Sequence, residues 1–233
     1  ALPIFHPVTG DIPFRELGLQ HINRIRANIA NAGRTPRMQQ YVARTFAMVW
    51  RSAQDFGIVD VACPTKSASF RLPRVDNERQ RYLTVEEEVL LLENVKKRSP
   101  QAHDMAVVSL DAGLRFNEVA SLNWQCVDLE AATLRILYTK GGRDRTVPMT
   151  NRLKALFASM ERGKPSGLVF PNTKGIKHLQ VPSAFKRGLA DAKLNEAVTN
   201  PKLRASFHSL RHTAASRLVQ AGVDLYLVQR ILG

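Results

Sequence analysis

The 233-residue chain is poor in cysteine, in acidic side chains relative to basic ones, and in aromatic rings, which make up 7% of it. Its two cysteines, Cys63 and Cys126, lie far apart and outside any Cys-x-x-Cys pair. That spacing argues against a disulfide scaffold or a zinc ribbon and suits a reducing cytosol. No apolar run approaches the roughly 18 residues a membrane helix needs, so no spanning segment is expected. The opening Ala1-Leu2-Pro3-Ile4-Phe5 has neither a basic start nor a long apolar stretch, and is not an evident secretory signal. No internal repeat and no low-complexity segment is present.

What the chain has in excess is positive charge. Lys and Arg number 34 against 20 Asp and Glu, a net +14 with a pI near 10.4, on a chain that is 44% hydrophobic and therefore able to build a core. Residues 1–82 hold 12 basic and 6 acidic side chains, and residues 83–233 hold 22 and 14. Neither part is a detachable basic tail. A membrane-surface protein would show a basic amphipathic helix with aromatic residues on its apolar side, and none is evident. The charge points to a polyanion, nucleic acid ahead of a merely solvated surface.

Apolar periodicity predicts a helix over 15–31, from Leu17, Leu19, Ile22, Ile25 and Ile29, ending at Gly33. Thr35-Pro36 should cap and open a second helix running to about Phe56, with Tyr41, Val42, Phe46, Val49, Trp50 and Ala53 toward a core. Arg37, Arg44 and Arg51 recur every seven residues and share one face, which alone reads as a solvated face. Residues 63–82 read as connecting chain, rich in Pro, Ser, Thr and charge. Thr84-x-x-Glu87 is a capping box that restarts structure. Further helices are expected over 101–112, 116–123, 150–160, 182–193, 208–221 and 224–232. Strands are expected at Leu134–Tyr138 and Arg145–Met149, around a hairpin tip at Lys140–Asp144. The fold class is thus mainly α with a small antiparallel β-sheet (α+β).

Three segments carry chemistry only in combination. Gly113-Leu114-Arg115 places a guanidinium at a helix start, with Glu118 three residues on to brace the helix or the arginine. Lys140 sits at the hairpin tip, near Arg143 and Arg145, where it can contact phosphate or donate a proton. His208-Ser209-Leu210-Arg211-His212 sets an imidazole and a guanidinium three apart on a helix. His208 and His212 have metalloprotease spacing, but Ser209 stands where that motif needs Glu, so no metal is expected.

These segments, in this order, resemble the tyrosine recombinases, the phage integrases. The resemblance is carried by residues 106–122, by the Lys140 hairpin ending in Thr146-Val147-Pro148, and by His208 to Ser216, with 221–233 resembling the helix that follows. Residues 15–73 resemble the core-binding domain, and Thr84-x-x-Glu87 the entry to the catalytic domain. The resemblance implies a helical core-binding (DNA-binding) domain over 1–73, N-terminally short. A linker at 74–82 then leads to a C-terminally truncated catalytic domain over 83–233. It implies catalysis by Arg115, Lys140, His208 and Arg211 without cofactor or metal, through a 3′-phosphotyrosyl intermediate. It implies DNA contacts from Arg37, Arg44, Arg143, Arg145, Lys202 and Arg204. The expected partner is double-stranded DNA, held by a tetramer of the full-length protein, with no membrane partner and a cytoplasmic, DNA-associated location in a bacterial host. The family's nucleophilic tyrosine would follow Gly233, so these 233 residues are expected to bind DNA but not cleave it. The alternative is a non-catalytic DNA-binding relative of the same fold. A type IB topoisomerase is a more distant one.

Overall fold

A computed structural model describes residues 2–74, 81–137 and 144–233. The chain divides into two compact units, Ala1–Asn77 and Glu78–Gly233.

Among the described residues, the first unit holds three α-helices: α1 (Leu2–Thr9), α2 (Leu19–Asn31) and α3 (Pro36–Asp55). α1 is not legible in the sequence because it contains Pro3 and Pro7. Pro3 falls in the first turn, where its missing amide would be unpaired anyway, whereas Pro7 removes one donor from the helix interior. α2 starts four residues later than its periodicity suggests. Phe14–Glu16 forms a 3₁₀ turn, and Gly18 caps α2 with its amide donated to the His21 ring at 2.9 Å. Ile22, Ile25 and Ile29 are buried as expected. Thr35 is extended ahead of Pro36, but its hydroxyl makes no capping bond.

Along α3 the buried side chains are Val42, Ala43, Phe46, Trp50 and Ala53. Tyr41 and Val49, expected inside, are 63% and 46% exposed. They sit one position off the inner stripe, and a helical step of about 100° carries each past the core edge. Trp50 centres the core, with the Phe14 and Phe46 rings at 5.0 and 5.5 Å and its indole N–H donated to the Val61 carbonyl. Residues 63–73 are not loose chain. Cys63 is buried, Phe70 packs on the core beneath the Arg26 guanidinium at 4.9 Å, and Gln40 donates to the Pro73 carbonyl.

The second unit begins with the Thr84–Glu87 box, in which each side chain accepts from the other residue's amide, at 3.2 and 3.0 Å. Arg81, in the expected linker, pairs with Glu87 at 2.5 Å. α4 (Val85–Arg98) packs on α5 (Pro100–Ala112) and on α8 (Ser183–Asp191). α6 (Phe116–Ala120) is three residues shorter than expected and passes into a 3₁₀ turn at Trp124–Cys126.

The sheet holds β1 (Val127–Asp128), β2 (Thr133–Ile136) and β3 (Arg145–Pro148), antiparallel in the order 1-2-3, with Leu134 opposite Val147 and Ile136 opposite Arg145. β1 is too short to leave a periodic signal. The expected hairpin tip falls almost wholly on residues 138–143, outside the described residues. α7 (Asn151–Ala158), α9 (Phe207–Gln220) and α10 (Leu225–Leu232) complete the unit. Asp224 caps α10 by accepting from the Tyr226 and Leu227 amides. α9 is anchored at its middle: the buried Thr213 hydroxyl accepts from the Leu83 amide and donates to the Ser209 carbonyl, each at 2.8 Å. The observed class is mainly helical with one small antiparallel sheet. Among the described residues no helix is long and apolar enough to cross a membrane.

Candidate active site

α5 ends at Gly113 in the left-handed region (φ 64°), and the reversal sets Arg115 at the N-cap of α6. A side chain on Gly113 would be strained there and would strike Leu232. Glu118, three residues into α6, then becomes a hub. Its Oε2 accepts from the Arg115 amide at 2.8 Å and from Arg145 Nη2 at 2.8 Å, while Oε1 accepts from Arg115 Nη1 at 3.0 Å and Arg145 Nη1 at 3.1 Å. Arg211 Nη1, from α9, lies 3.8 Å from the same carboxylate.

Arg211 also donates to backbone carbonyls: Nη1 to Gly113 at 2.9 Å and to Leu232 at 2.8 Å, and Nη2 to Gly233 at 3.2 Å. Arg115 Nη2 reaches the same Gly233 oxygen at 2.6 Å.

Three guanidinium groups surround one side-chain carboxylate. Burial pushes the Glu118 carboxyl up, but the Arg145 and Arg115 hydrogen bonds outweigh it and hold its pKa below the usual carboxylate range. Burial, with repulsion from Arg115, pushes the Arg211 guanidinium down to about 10, against the attraction of Glu118, so it stays charged at neutral pH. A second network in the same unit pairs its charges evenly. Glu88 and Asp111 are matched by Arg152 and Arg217, which tie α4, α5, α7 and α9 together. Balanced charge there is structural; the three guanidinium groups around Glu118 suit an incoming anion.

The exposed edge of the cluster opens on a cleft of about 540 Å³. Arg115, with a side chain 36% exposed, and His208 both line it. The His208 and His212 rings meet edge to face at 4.6 Å. The chain thus brings together Arg115, Arg211 and His208, three of the four catalytic expectations. The fourth, Lys140, and the DNA contact expected at Arg143 lie outside the described residues.

Arg145 departs from expectation. Expected as a DNA contact, its side chain is only 9% exposed, committed to Glu118 and, through Nε, to the Ile231 carbonyl at 2.8 Å. The signal lies in the strand: Arg145 and Val147 share the face of β3 that is turned inward. Arg37 and Arg44 are exposed on α3, in the first unit. Lys202 lies in a 3₁₀ turn at Pro201–Leu203, and Arg204, just after it, is exposed and donates to the Val198 carbonyl. Neither lines the cleft. Arg135 and Lys177 do line it and belong to no sequence motif. Among the described residues, no group of three or more His, Cys, Asp and Glu could hold a metal ion.

Comparison with known proteins matches this architecture. The phage integrase family profile covers residues 81–233. Tyrosine recombinase XerC of Proteus mirabilis is 30% identical over 229 residues, which is 92% of this chain and 69% of that protein. The chain spans about half the length of several other curated relatives. Among solved structures, the Tn1549 transposon integrase in complex with circular intermediate DNA aligns with a TM-score of 0.74 at 20% identity, over all of this chain and 82% of that one. A lambda integrase dimer bound to a COC′ core site aligns with a TM-score of 0.75 at 14% identity, over all of this chain and 84% of that one. Motif order, fold and sequence similarity agree, and the chain belongs to the phage integrase family of tyrosine recombinases.

Proposed function

We propose that this chain binds duplex DNA with both units, and that its second unit carries most of a centre that breaks and rejoins a DNA strand. One observation carries the reading: Arg115 and Arg211, from different elements, meet at the Glu118 carboxylate, and Arg115 shares an open cleft with His208. A phosphodiester presents two non-bridging oxygens that gain charge as a nucleophile adds. Two fixed guanidinium groups stabilise that charge more than the ground state, and cost no reorganisation at the moment of reaction.

In this reading a tyrosine oxygen attacks phosphorus and the P–O5′ bond breaks, giving a 3′-phosphotyrosyl ester and a free 5′-hydroxyl. The ester retains the energy of the broken bond, so rejoining needs no external energy source. His208, at the cleft, hydrogen-bonds the phosphate or assists removal of the tyrosine proton. Lys140, assigned from its motif alone, protonates the leaving 5′-oxygen. Glu118 and Arg145 set the positions of the two acting arginines. Arg37, Arg44, Arg143, Lys202 and Arg204 are assigned to the duplex outside the reacting centre, in a protein that acts on DNA as a tetramer. Residues 1–73 would be the core-binding domain and 83–233 the catalytic domain, joined by 74–82.

None of the four tyrosines of this chain is proposed as the nucleophile. Tyr226 is exposed near the start of α10, whose opposite end meets Arg211. Tyr82 lies beside Thr84 and Arg217, Tyr41 is in the first unit, and Tyr138 is outside the described residues. The 233-residue polypeptide should therefore bind DNA without forming a covalent adduct. The test is a labelled duplex, read by anisotropy, followed by a nicked suicide duplex resolved on a denaturing gel. Salt-sensitive binding that weakens in Arg115→Ala and Arg211→Ala, with no adduct, is expected. Absence of binding overturns the reading, and an adduct on any of the four tyrosines overturns the assignment of the nucleophile.

A further inference from the structure

The cleft is larger than one reacting phosphate requires. It encloses about 540 Å³. A phosphate group has five bonded heavy atoms and fills less space than five waters, which take about 150 Å³ at about 30 Å³ each. The remaining space has a partly exposed apolar side chain, Leu137 just after β2, and two further cations, Arg135 and Lys177. Neither cation takes part in the Glu118 cluster. Among the described residues of the lining, Glu118 is the single acidic side chain, and Arg145 already compensates it.

Both cations stand on anchored backbone. Arg135 is within β2, paired with Thr146, and its side chain is 66% exposed. It meets Asp144 at 3.3 Å in an ion pair that is solvent-exposed and therefore weak. Lys177 closes a tight turn: Asn172 donates its amide to the Ile176 carbonyl, and Pro171 and Lys177 form a β-bridge. Gln101 of α5 fixes that turn by donating to the Pro171 carbonyl and meeting the His178 ring at 3.2 Å. A lysine held on an anchored turn gives up less freedom on binding than one on a loose loop.

We infer that this cleft holds the sugar and flanking phosphates next to the reacting phosphodiester, with deoxyribose against Leu137 and the flanking charge neutralised by Arg135 and Lys177. The inference rests on the proposal that DNA occupies the cleft, and it makes Arg135 and Lys177 binding residues that fix where the reacting phosphate falls. An apolar side chain beside cations matches a backbone that alternates sugar with phosphate; a site for one phosphate ion alone would have no use for it.

The experiment is the salt dependence of duplex binding by the 233-residue chain, read by anisotropy between about 50 and 200 mM salt. Each phosphate that a side chain no longer neutralises lowers the slope of log K against log salt by about 0.9. Arg135→Ala and Lys177→Ala should each lower it by about that amount, and the double variant by about twice as much. Arg135→Lys and Lys177→Arg should restore it. Lys97→Ala, exposed on α4 and outside the cleft, should leave it unchanged. A double variant with the wild-type slope overturns the inference while leaving the function standing, as does a Lys97→Ala decrease equal to the others. A wild-type chain that does not bind the duplex overturns both.

Discussion

Arg145 and Glu118 face each other through two hydrogen bonds, 3.1 and 2.8 Å long, and both side chains are buried. This pair joins the base of the β2–β3 hairpin to the start of α6. Through Arg145 Nε and the Ile231 carbonyl it also joins both to the end of α10. It is the mechanical centre of the candidate site, although neither residue is assigned to touch the reacting phosphate.

Glu118→Gln keeps the shape and removes the charge. Three arginines would then meet without a carboxylate, and breaking the buried Arg145–Glu118 pair in this way costs about 3–5 kcal/mol. Urea unfolding at neutral pH should show that decrease. The folded-state pKa of Glu118 is depressed, so its stabilisation is present above the ordinary carboxylate value and disappears as pH falls through the depressed one. The gap between wild type and variant should therefore be full near neutrality and narrow in acid. A gap that widens in acid would contradict the assignment.

Arg115 and Arg145 bond to the same carboxylate but should fail differently. Arg115 is partly exposed and Arg145 is buried. Arg115→Ala should cost about 1 kcal/mol or less in stability, as exposed pairs do, while weakening DNA binding. Arg145→Ala should cost about 3 kcal/mol, because it leaves Glu118 buried with fewer partners. Equal melting temperatures for the two variants would show that burial does not separate them.

The same contrast between exposed and buried arginines marks what is legible in the sequence. Arg115, His208 and Arg211 are readable because each lies in a short motif fixed by helix spacing. The Thr84 and Asp224 caps are readable because capping chemistry is local. Arg145 misleads because its charge suggests solvent, whereas its alternation with Val147 on a strand buries it. Tyr41 and Val49 mislead because periodicity marks a helix stripe without giving its width. Arg135 and Lys177 are invisible because no local pattern brings β2 and the turn at 171–177 to one cleft; only the tertiary fold does.

Thr213 links the entry of the second unit to the helix bearing His208 and Arg211. Its buried hydroxyl serves the Leu83 amide and the Ser209 carbonyl together. Thr213→Val preserves the volume and strands the Leu83 amide, at a cost of about 1–3 kcal/mol. Thr213→Ser should recover most of it, because the hydroxyl returns. Thermal melts of the three proteins decide this, and a valine variant as stable as wild type would show that the Leu83 amide finds another partner.

Gly188 allows α8 to lie directly on α4. A Cβ there would come within 2.7 Å of Val95 Cα, which is backbone and cannot rotate aside. Gly188→Ala, normally favourable in a helix interior, should here destabilise by about 1–3 kcal/mol through forced separation of the two helices. A stabilised variant would mean that the helices part at little cost.

The outer face of α3 allows binding by the first unit to be separated from binding by the second. Arg37, Arg44 and Arg51 are exposed there, on the side away from the buried Phe46 and Trp50. Arg44 also borders a small pocket with Phe70, so its stem packs while its guanidinium can reach outward. If that guanidinium contacts phosphate, Arg44→Ala should weaken duplex binding about equally across DNA sequences and lower the salt slope by about 0.9. Thermal stability should move by less than about 0.5 kcal/mol, as for most surface changes. Weaker affinity with an unchanged slope would instead place Arg44 against a base edge, and an unchanged affinity would leave the stripe as a solvated face.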